Sequence, residues 1–479
     1  MTAIDLLALL PFIAVALTAV LAMLSVAVRR CHAATFVITV LGLAVSALSL
    51  LVPARLGSRS VTGLLTLDPF TLFYSGLVLS AALAVAVFSY GYLKKCNGQR
   101  EELYILLAVA VFGSMVLIAS KSMVSLFLGL EILSISLYSL ISYNRGSPQS
   151  AEAGVKYLIL GSASSAFLVL GMALIYFESG TLQFARVATA ASGGHVSGLV
   201  VAGGLALIIV AIGFKLSLVP FHMWVADVFE GSPAPITGFI ATVSKGSVFA
   251  LALRFFSVQG LHASPFLLAV FSLIAIVSMF AGNILALTQY NIKRMLAYSS
   301  VAHMGYLLIA FLATGEMAPV AVTLYLVAYF ITSLGAFGTV SILSDGTKES
   351  ATLDHVRGLA WRRPWLAAAF TAMLLSLAGI PLTAGFVGKF YVITAGLASG
   401  LSGLVAVLVI NSAIGLCYYL RVIIAVYSPV APEAQPNQSC LSCGAENAVM
   451  VLLTTFLVWV GVYPSALLRV IQSAVGSFL

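Results

Sequence analysis

The chain has 479 residues, of which 61% are hydrophobic and 8% charged, against roughly 25% charged in a soluble domain. No soluble fold of this size hides so much apolar surface, so soluble enzymes and soluble binding modules are excluded. A net charge of +8 does not point to nucleic acid, because the basic residues lie between apolar runs instead of forming one patch.

Fourteen apolar spans lie near 4–28, 33–53, 69–92, 103–120, 122–143, 157–177, 199–226, 235–255, 264–289, 294–313, 317–344, 364–394, 399–428 and 447–468. About 20 uncharged apolar residues suffice to cross a bilayer as a helix. The runs lack the alternation of barrel strands. The expectation is an all-α integral membrane protein of about 14 transmembrane helices. The fourth and fifth spans nearly touch at Lys121, which leaves the count open by one. Asp5 precedes the first span and Arg29-Arg30 follow it, the reverse of a cleaved signal peptide, so this span is expected to be retained.

The loops set an orientation. Odd-numbered loops carry Arg29, Arg30, Lys94, Lys95, Arg100, Arg145, Lys293, Arg294, Lys348, Arg357, Arg362 and Arg363. Even-numbered loops carry Arg55, Arg59, Lys121 and Arg186, with Arg254 at their edge. The richer set belongs in the cytoplasm, which places both termini outside, or in the periplasm of a bacterium. The longest polar segments, about 345–363 and 430–446, are too short to fold alone. The first, with Leu353, Val356, Leu359 and Trp361 among charges, suits a position along the membrane surface. Cys440 and Cys443 have a motif-like spacing, but no further metal ligand is near them in sequence.

Pro220 falls inside the seventh span and Pro381 inside the twelfth. Each removes a backbone donor and clashes one turn back, and such breaks face protein or water rather than lipid. Broken helices at matching positions mark inverted-repeat transporters. Their spacing of five spans fits two inverted five-helix repeats, helices 4–8 and 9–13, with helices 7 and 12 broken. The expected organisation is three N-terminal helices in 1–101, the first repeat in 102–256 and the second in 257–429. A cytoplasmic loop and the last helix occupy 430–479.

Ionisable groups inside the spans carry the functional signal. Glu131 sits mid-span in Leu126-Phe-Leu-Gly-Leu-Glu, where an acid costs at least ~2.5–3.5 kcal/mol on insertion scales. Lys215 lies just before the break at Pro220, Lys245 in the eighth span, and Lys389 eight residues after Pro381. A structural ion pair is the plain reading of each, but one acid can pair with at most one of three lysines. Small neighbours such as Gly213, Ser217, Ser244, Gly246, Gly385 and Gly388 leave room for close helices or water. His222 and His303 have the chemistry of a proton relay or of a structural group. Lys156 opens the sixth span, where a snorkelling lysine is the alternative to a relay. Desolvation favours a neutral amine and a nearby carboxylate an ammonium, so these groups together form a candidate route for protons.

Three sequence blocks carry a resemblance. They are Gly213-Phe-Lys-Leu-Ser-Leu-Val-Pro-Phe-His-Met-Trp, Asn291-Ile-Lys-Arg-Met-Leu-Ala-Tyr-Ser-Ser-Val-Ala-His-Met-Gly-Tyr, and Ala378-Gly-Ile-Pro-Leu-Thr-Ala-Gly-Phe-Val-Gly-Lys-Phe-Tyr. Together with the span count they resemble the antiporter-like membrane subunits of respiratory complex I over almost the whole chain. The resemblance implies fourteen helices and a proton path through Glu131, Lys215, Lys245 and Lys389, with His222, His303 and Lys156 as possible relays. It implies no cofactor in this chain. NADH, FMN, iron–sulfur clusters and a quinone would belong to other subunits, and the partners would be those subunits and the lipid of a bacterial inner membrane. Lys389, where one larger relative usually has glutamate, and an end at Leu479 without a long lateral helix point to the smallest of three such subunits. Related chains also occur in multisubunit cation–proton antiporters and membrane-bound hydrogenases, which is the alternative function.

Overall fold

The computed structural model describes all residues except 1, 97, 193–197, 259–264, 345–350, 430–443 and 477–479. All fourteen apolar spans fall on helices. Spans one to six are Leu10–Val28, His32–Ser49 with its extension Leu51–Leu56, Pro69–Lys95, Glu102–Ile118, Met123–Ile141 and Pro148–Ser179. The seventh is split into Gly198–Leu216 and Val225–Gly231. The eighth runs from Ala234–Phe239 through a π-helical turn, Ile240–Ser244, into Lys245–Val258. Pro265–Leu287, Ile292–Leu312 and Met317–Leu343 follow, and the twelfth span is split into Pro364–Ala378 and Ala384–Ala398. Ser402–Tyr427 and Gly444–Val462 complete the set, with Ser465–Val475 trailing. Among the described residues twelve helices are long and apolar enough to cross a membrane, so the chain is a multi-pass membrane protein. The Glu102–Ile118 helix and the two halves of the twelfth span are shorter.

Capping explains where the elements differ from the apolar runs. The fourth and fifth spans are separate helices because Ser122 caps the second, accepting from Ser125 N at 3.2 Å. A two-stranded ribbon, Arg59–Val61 with Leu65–Leu67, lies against that junction, where Lys121 N donates to Leu64 O at 2.9 Å. The sixth helix starts at Pro148, with Ser147 as its cap, well before the apolar run begins. Lys156 therefore sits on the third turn and not at the helix start. Of the polar segment at 345–363, residues 345–350 lie outside the described residues. The rest forms the short turns Leu353–Val356 and Leu359–Arg362, with Val356 and Leu359 buried and Trp361 exposed. The Cys440/Cys443 pair lies outside the described residues.

The burial pattern is that of a bundle in lipid. The first two helices leave Leu17, Leu24, Leu41 and Leu48 exposed, a pattern that costs nothing against acyl chains. By contrast, Met317–Leu343 is buried along almost its whole length, and Ile292–Leu312 nearly so. Gly113 and Gly129 let the fourth and fifth helices touch, because a Cβ on either would overlap backbone atoms of the other.

A buried ion pair ties the start of the Pro69–Lys95 helix to the end of Lys245–Val258. Asp68 caps the Pro69–Lys95 helix through Thr71 N at 2.8 Å. Arg254, near the end of Lys245–Val258, holds both its oxygens, at 2.8 and 2.9 Å. The two side chains are only 7% and 11% exposed. Burial pushes the Asp68 carboxyl up, but the Arg254 and Thr71 hydrogen bonds outweigh it and hold the group below the usual carboxylate range. Arg254→Leu leaves a buried carboxylate without its guanidinium and is expected to cost about 3–5 kcal/mol, read as a lower melting temperature in detergent. Because the folded pKa is depressed, Asp68 stabilises the fold at neutral pH. That contribution falls only as pH drops below about 4, where the unfolded carboxyl starts to protonate. In Arg254→Leu the burial of the carboxyl is no longer opposed by the guanidinium, so this acid-side loss should shrink or reverse, which a melting series across pH 3–6 would show.

Candidate functional site

Lys215 closes the last turn of Gly198–Leu216 and is 3% exposed. Its Nζ donates to Ser134 Oγ on Met123–Ile141 at 2.7 Å and stands over the Tyr157 ring, 5.2 Å from its centroid. Glu131 lies one turn from Ser134 on the same face. It is half-buried and accepts from Ser165 Oγ of the sixth helix. The structure thus joins Lys215 to the turn beside Glu131, and no direct ion pair between them is found among the described residues.

The break after Lys215 has its backbone groups covered. Ser217 takes a left-handed φ of 60°, and the Val219–Pro220 bond is cis. Trp224 Nε1 donates to Phe214 O at 3.0 Å, Leu218 N to Gly213 O at 2.8 Å, and Val219 N to Ser278 Oγ at 3.0 Å. Freed carbonyls inside a membrane need such partners.

Lys245 follows the π-helical turn directly and is 1% exposed. Its Nζ donates to Ser300 Oγ at 2.7 Å and faces the Phe229 ring. Ser300, His303 and Tyr306 are three apart on Ile292–Leu312, so they form one stripe. His303 Nδ1 lies 2.6 Å from Tyr325 OH and Nε2 lies 3.2 Å from Tyr419 OH, which also bonds Ser299 Oγ. The Tyr306 ring is 5.3 Å from Lys389 Nζ. One helix stripe therefore runs from the Lys245 ammonium to that of Lys389.

Lys389 is 6% exposed and does what Lys215 does not: it closes the helix break itself. Its Nζ donates to Leu377 O at 3.1 Å and Ala378 O at 2.8 Å, the last carbonyls of Pro364–Ala378, and to Ser412 Oγ at 2.8 Å. A cation at a helix C-terminus also meets the favourable end of the backbone dipole. Gly379, at φ 90°, turns the chain there, and Gly385 N donates to Ser376 Oγ at 2.9 Å.

Two residues stand apart. His222 is half-buried past the first break and bonds none of the three lysines. Lys156 is 42% exposed and pairs with Glu152 at 2.6 Å and Asp227 at 2.7 Å. Arg294 bonds the same Asp227 at 2.8 Å and Glu230 at 2.7 Å. Lys156 thus belongs to a charge cluster with Glu152, Asp227, Glu230 and Arg294. The serines and tyrosines at the lysines had a readable signal, the three-residue spacing of Ser300, His303 and Tyr306. Ser134, three residues past Glu131, repeats it. Charges that sequence places between spans are buried at Asp68, Glu101, Glu446 and Lys293, the last donating to Glu230 O at 2.8 Å and to Ser232 O at 2.5 Å.

The family model described as "NADH:quinone oxidoreductase/Mrp antiporter, TM" matches residues 120–415, a segment that holds all three lysines, Glu131 and His303. The chain belongs to that family. Within this antiporter family, subunit N of the NADH-quinone oxidoreductase of Ectopseudomonas mendocina (strain ymp) is 44% identical over 99% of this chain and 97% of its own length. A chain of respiratory complex I from Thermus thermophilus with bound aureothin is 30% identical. It matches with a TM-score of 0.82 over 97% of this chain and 99% of its own. A chain of an archaeal membrane-bound sulfane sulfur reductase is 25% identical, with a TM-score of 0.85 over 99% of this chain and 97% of its own. A chain of the Mrp complex of Dietzia sp. DQ12-45-1b shares the fold at a TM-score of 0.86 and 22% identity, covering 100% of this chain and 98% of its own.

The geometry separates the lysines by what they cost. Replacing Lys215 or Lys245 singly by methionine removes a desolvated ammonium and leaves a serine that already bonds its own helix, so the melting temperature in detergent is expected to stay level or rise. Lys389→Met also takes the donor from Leu377 O and Ala378 O and is expected to lower it. Lys156→Met breaks an exposed cluster and should cost about 1 kcal/mol or less.

Proposed function

We propose that this chain is the proton-translocating N subunit of a bacterial NADH:quinone oxidoreductase, respiratory complex I. It sits in the inner membrane, with both termini on the periplasmic side, as two inverted five-helix repeats. Protons pass through Lys215, Lys245 and Lys389, each held by a serine of a neighbouring helix, with Glu131 biasing Lys215 and His303 linking Lys245 to Lys389. His222 has a lesser part, and Lys156 supports the bundle end. Water completes the route between these groups. Electrons travel from NADH through FMN and iron–sulfur clusters to a quinone on other subunits, and this chain carries no redox group. The reading rests chiefly on three buried, serine-bonded lysines in a chain 44% identical to a subunit N over nearly its full length. The cation–proton antiporter alternative shares the family model, but the Mrp chain is a 22% identical likeness of fold against 44% identity to a subunit N.

The mechanism follows from differential solvation. An ammonium in this interior is stabilised by one hydroxyl, by an aromatic face and, for Lys389, by two carbonyls. Movement of a carboxylate toward or away from Lys215 changes which protonation state is favoured. A proton released there passes to the next amine, and the imidazole with its two tyrosines offers the step between Lys245 and Lys389. In inverted membrane vesicles carrying the whole complex, Lys245→Met and Lys389→Met should lower NADH-driven proton uptake about tenfold. Mass spectrometry of the purified complex should find flavin and iron–sulfur subunits. Unchanged uptake per NADH in both variants, or a complex without those subunits, would sink the reading.

A further inference from the structure

Two asparagines are fully buried where Pro265–Leu287 meets Ser402–Tyr427. Both helices otherwise show apolar faces to lipid, with Leu273, Ile284, Val409 and Ile410 exposed. A buried amide is costly unless bonded. Each could be satisfied within its own helix, since Asn283 Nδ2 lies 2.9 Å from Met279 O and Asn411 Nδ2 lies 3.0 Å from Val407 O. The amides nevertheless reach further. Asn283 Nδ2 is 2.9 Å from Tyr306 OH and 3.2 Å from Asn411 Oδ1, while Tyr418 OH donates to Asn283 Oδ1 at 3.1 Å. Gly415 eases the approach, because a Cβ there would lie only 3.3 Å from Asn283 Oδ1.

We infer that Asn283, seated by Asn411 and Tyr418, is a positioning residue that anchors Tyr306 by its hydroxyl and so holds the Tyr306 ring against the Lys389 ammonium. This rests on the proposed role of Lys389 in proton translocation. The far edge of that ring faces the Asn283 amide and its face lies 5.3 Å from Lys389 Nζ. A ring with one edge fixed has a defined face to offer a cation, and a loose ring does not. An amide nitrogen has two hydrogens, and three acceptors surround this one. Packing two helices together would not need the third, and the third is the one that leads to Lys389.

The test uses the whole complex in inverted membrane vesicles, reading proton uptake per NADH oxidised and the amount of assembled complex. Asn283→Leu and Tyr306→Phe remove opposite ends of one bond. Each is expected to lower uptake per NADH about twofold to fivefold, and the double variant no further than either alone. If Asn283→Leu does not assemble, Asn283→Ala takes its place in the same comparison. Normal uptake in the Asn283 variant overturns the inference, and so does a double variant whose losses multiply. Lys389→Met in parallel separates the two ideas. A harmless Lys389→Met defeats the proton-path reading itself, whereas a harmful one beside a harmless Asn283 variant defeats only the anchoring role.

Discussion

Everything in this bundle depends on giving each buried ammonium a hydrogen-bond acceptor in a place without bulk water. The solution is the same three times: a serine hydroxyl from another helix, 2.7–2.8 Å from Nζ. Such reach demands closely packed helices, and close packing demands small residues. The glycines flanking the lysines, and the Gly113–Gly129 contact, follow from that demand. Apolar packing would be cheaper at Lys215 and Lys245, so stability does not explain those two.

The two broken helices solve their backbone problem differently. At the first break the freed carbonyl of Phe214 is taken by an indole, and Lys215 is left to a serine and a ring. At the second, Lys389 itself takes the carbonyls of Leu377 and Ala378. The two lysines therefore differ in what a change of charge would disturb. Loss of the proton from Lys389 weakens a helix end, and loss from Lys215 does not. The π-helical turn before Lys245 is a third interruption of regular helix at a lysine, and such turns are frequent at functional sites.

The span positions, the two breaks and the deep charges were legible because each leaves a local mark. Apolar length, proline inside an apolar run and a charge far from any loop are all properties of neighbours in sequence. What was not legible depends on partners far along the chain. Nothing near Ser134 announces Lys215, 81 residues on, and nothing near Asn283 announces Asn411. A serine or tyrosine costs little in a membrane helix, so it raises no alarm in a hydropathy reading. Glu446 and Lys293 were misplaced for the opposite reason: each sits beside a loop in sequence, and tertiary packing then covers it. The start of the sixth helix was missed because its first turns, Pro148 to Glu152, are polar although helical.

The Met317–Leu343 helix is enclosed on every side, and its 27 residues include no Asp, Glu, Lys or Arg. A helix of that kind is as comfortable among acyl chains as among other helices. During synthesis it can leave the translocation machinery alone and wait in lipid, owing nothing to neighbours not yet made. The helices bearing Lys215, Lys245 and Lys389 have no such freedom, because their ammonium groups need the serines of other helices. Ser134 and Ser300 precede Met317–Leu343 in the chain, so Lys215 and Lys245 can meet their acceptors before that helix is made, and of the three lysines Lys389 alone waits for a serine made after it, Ser412.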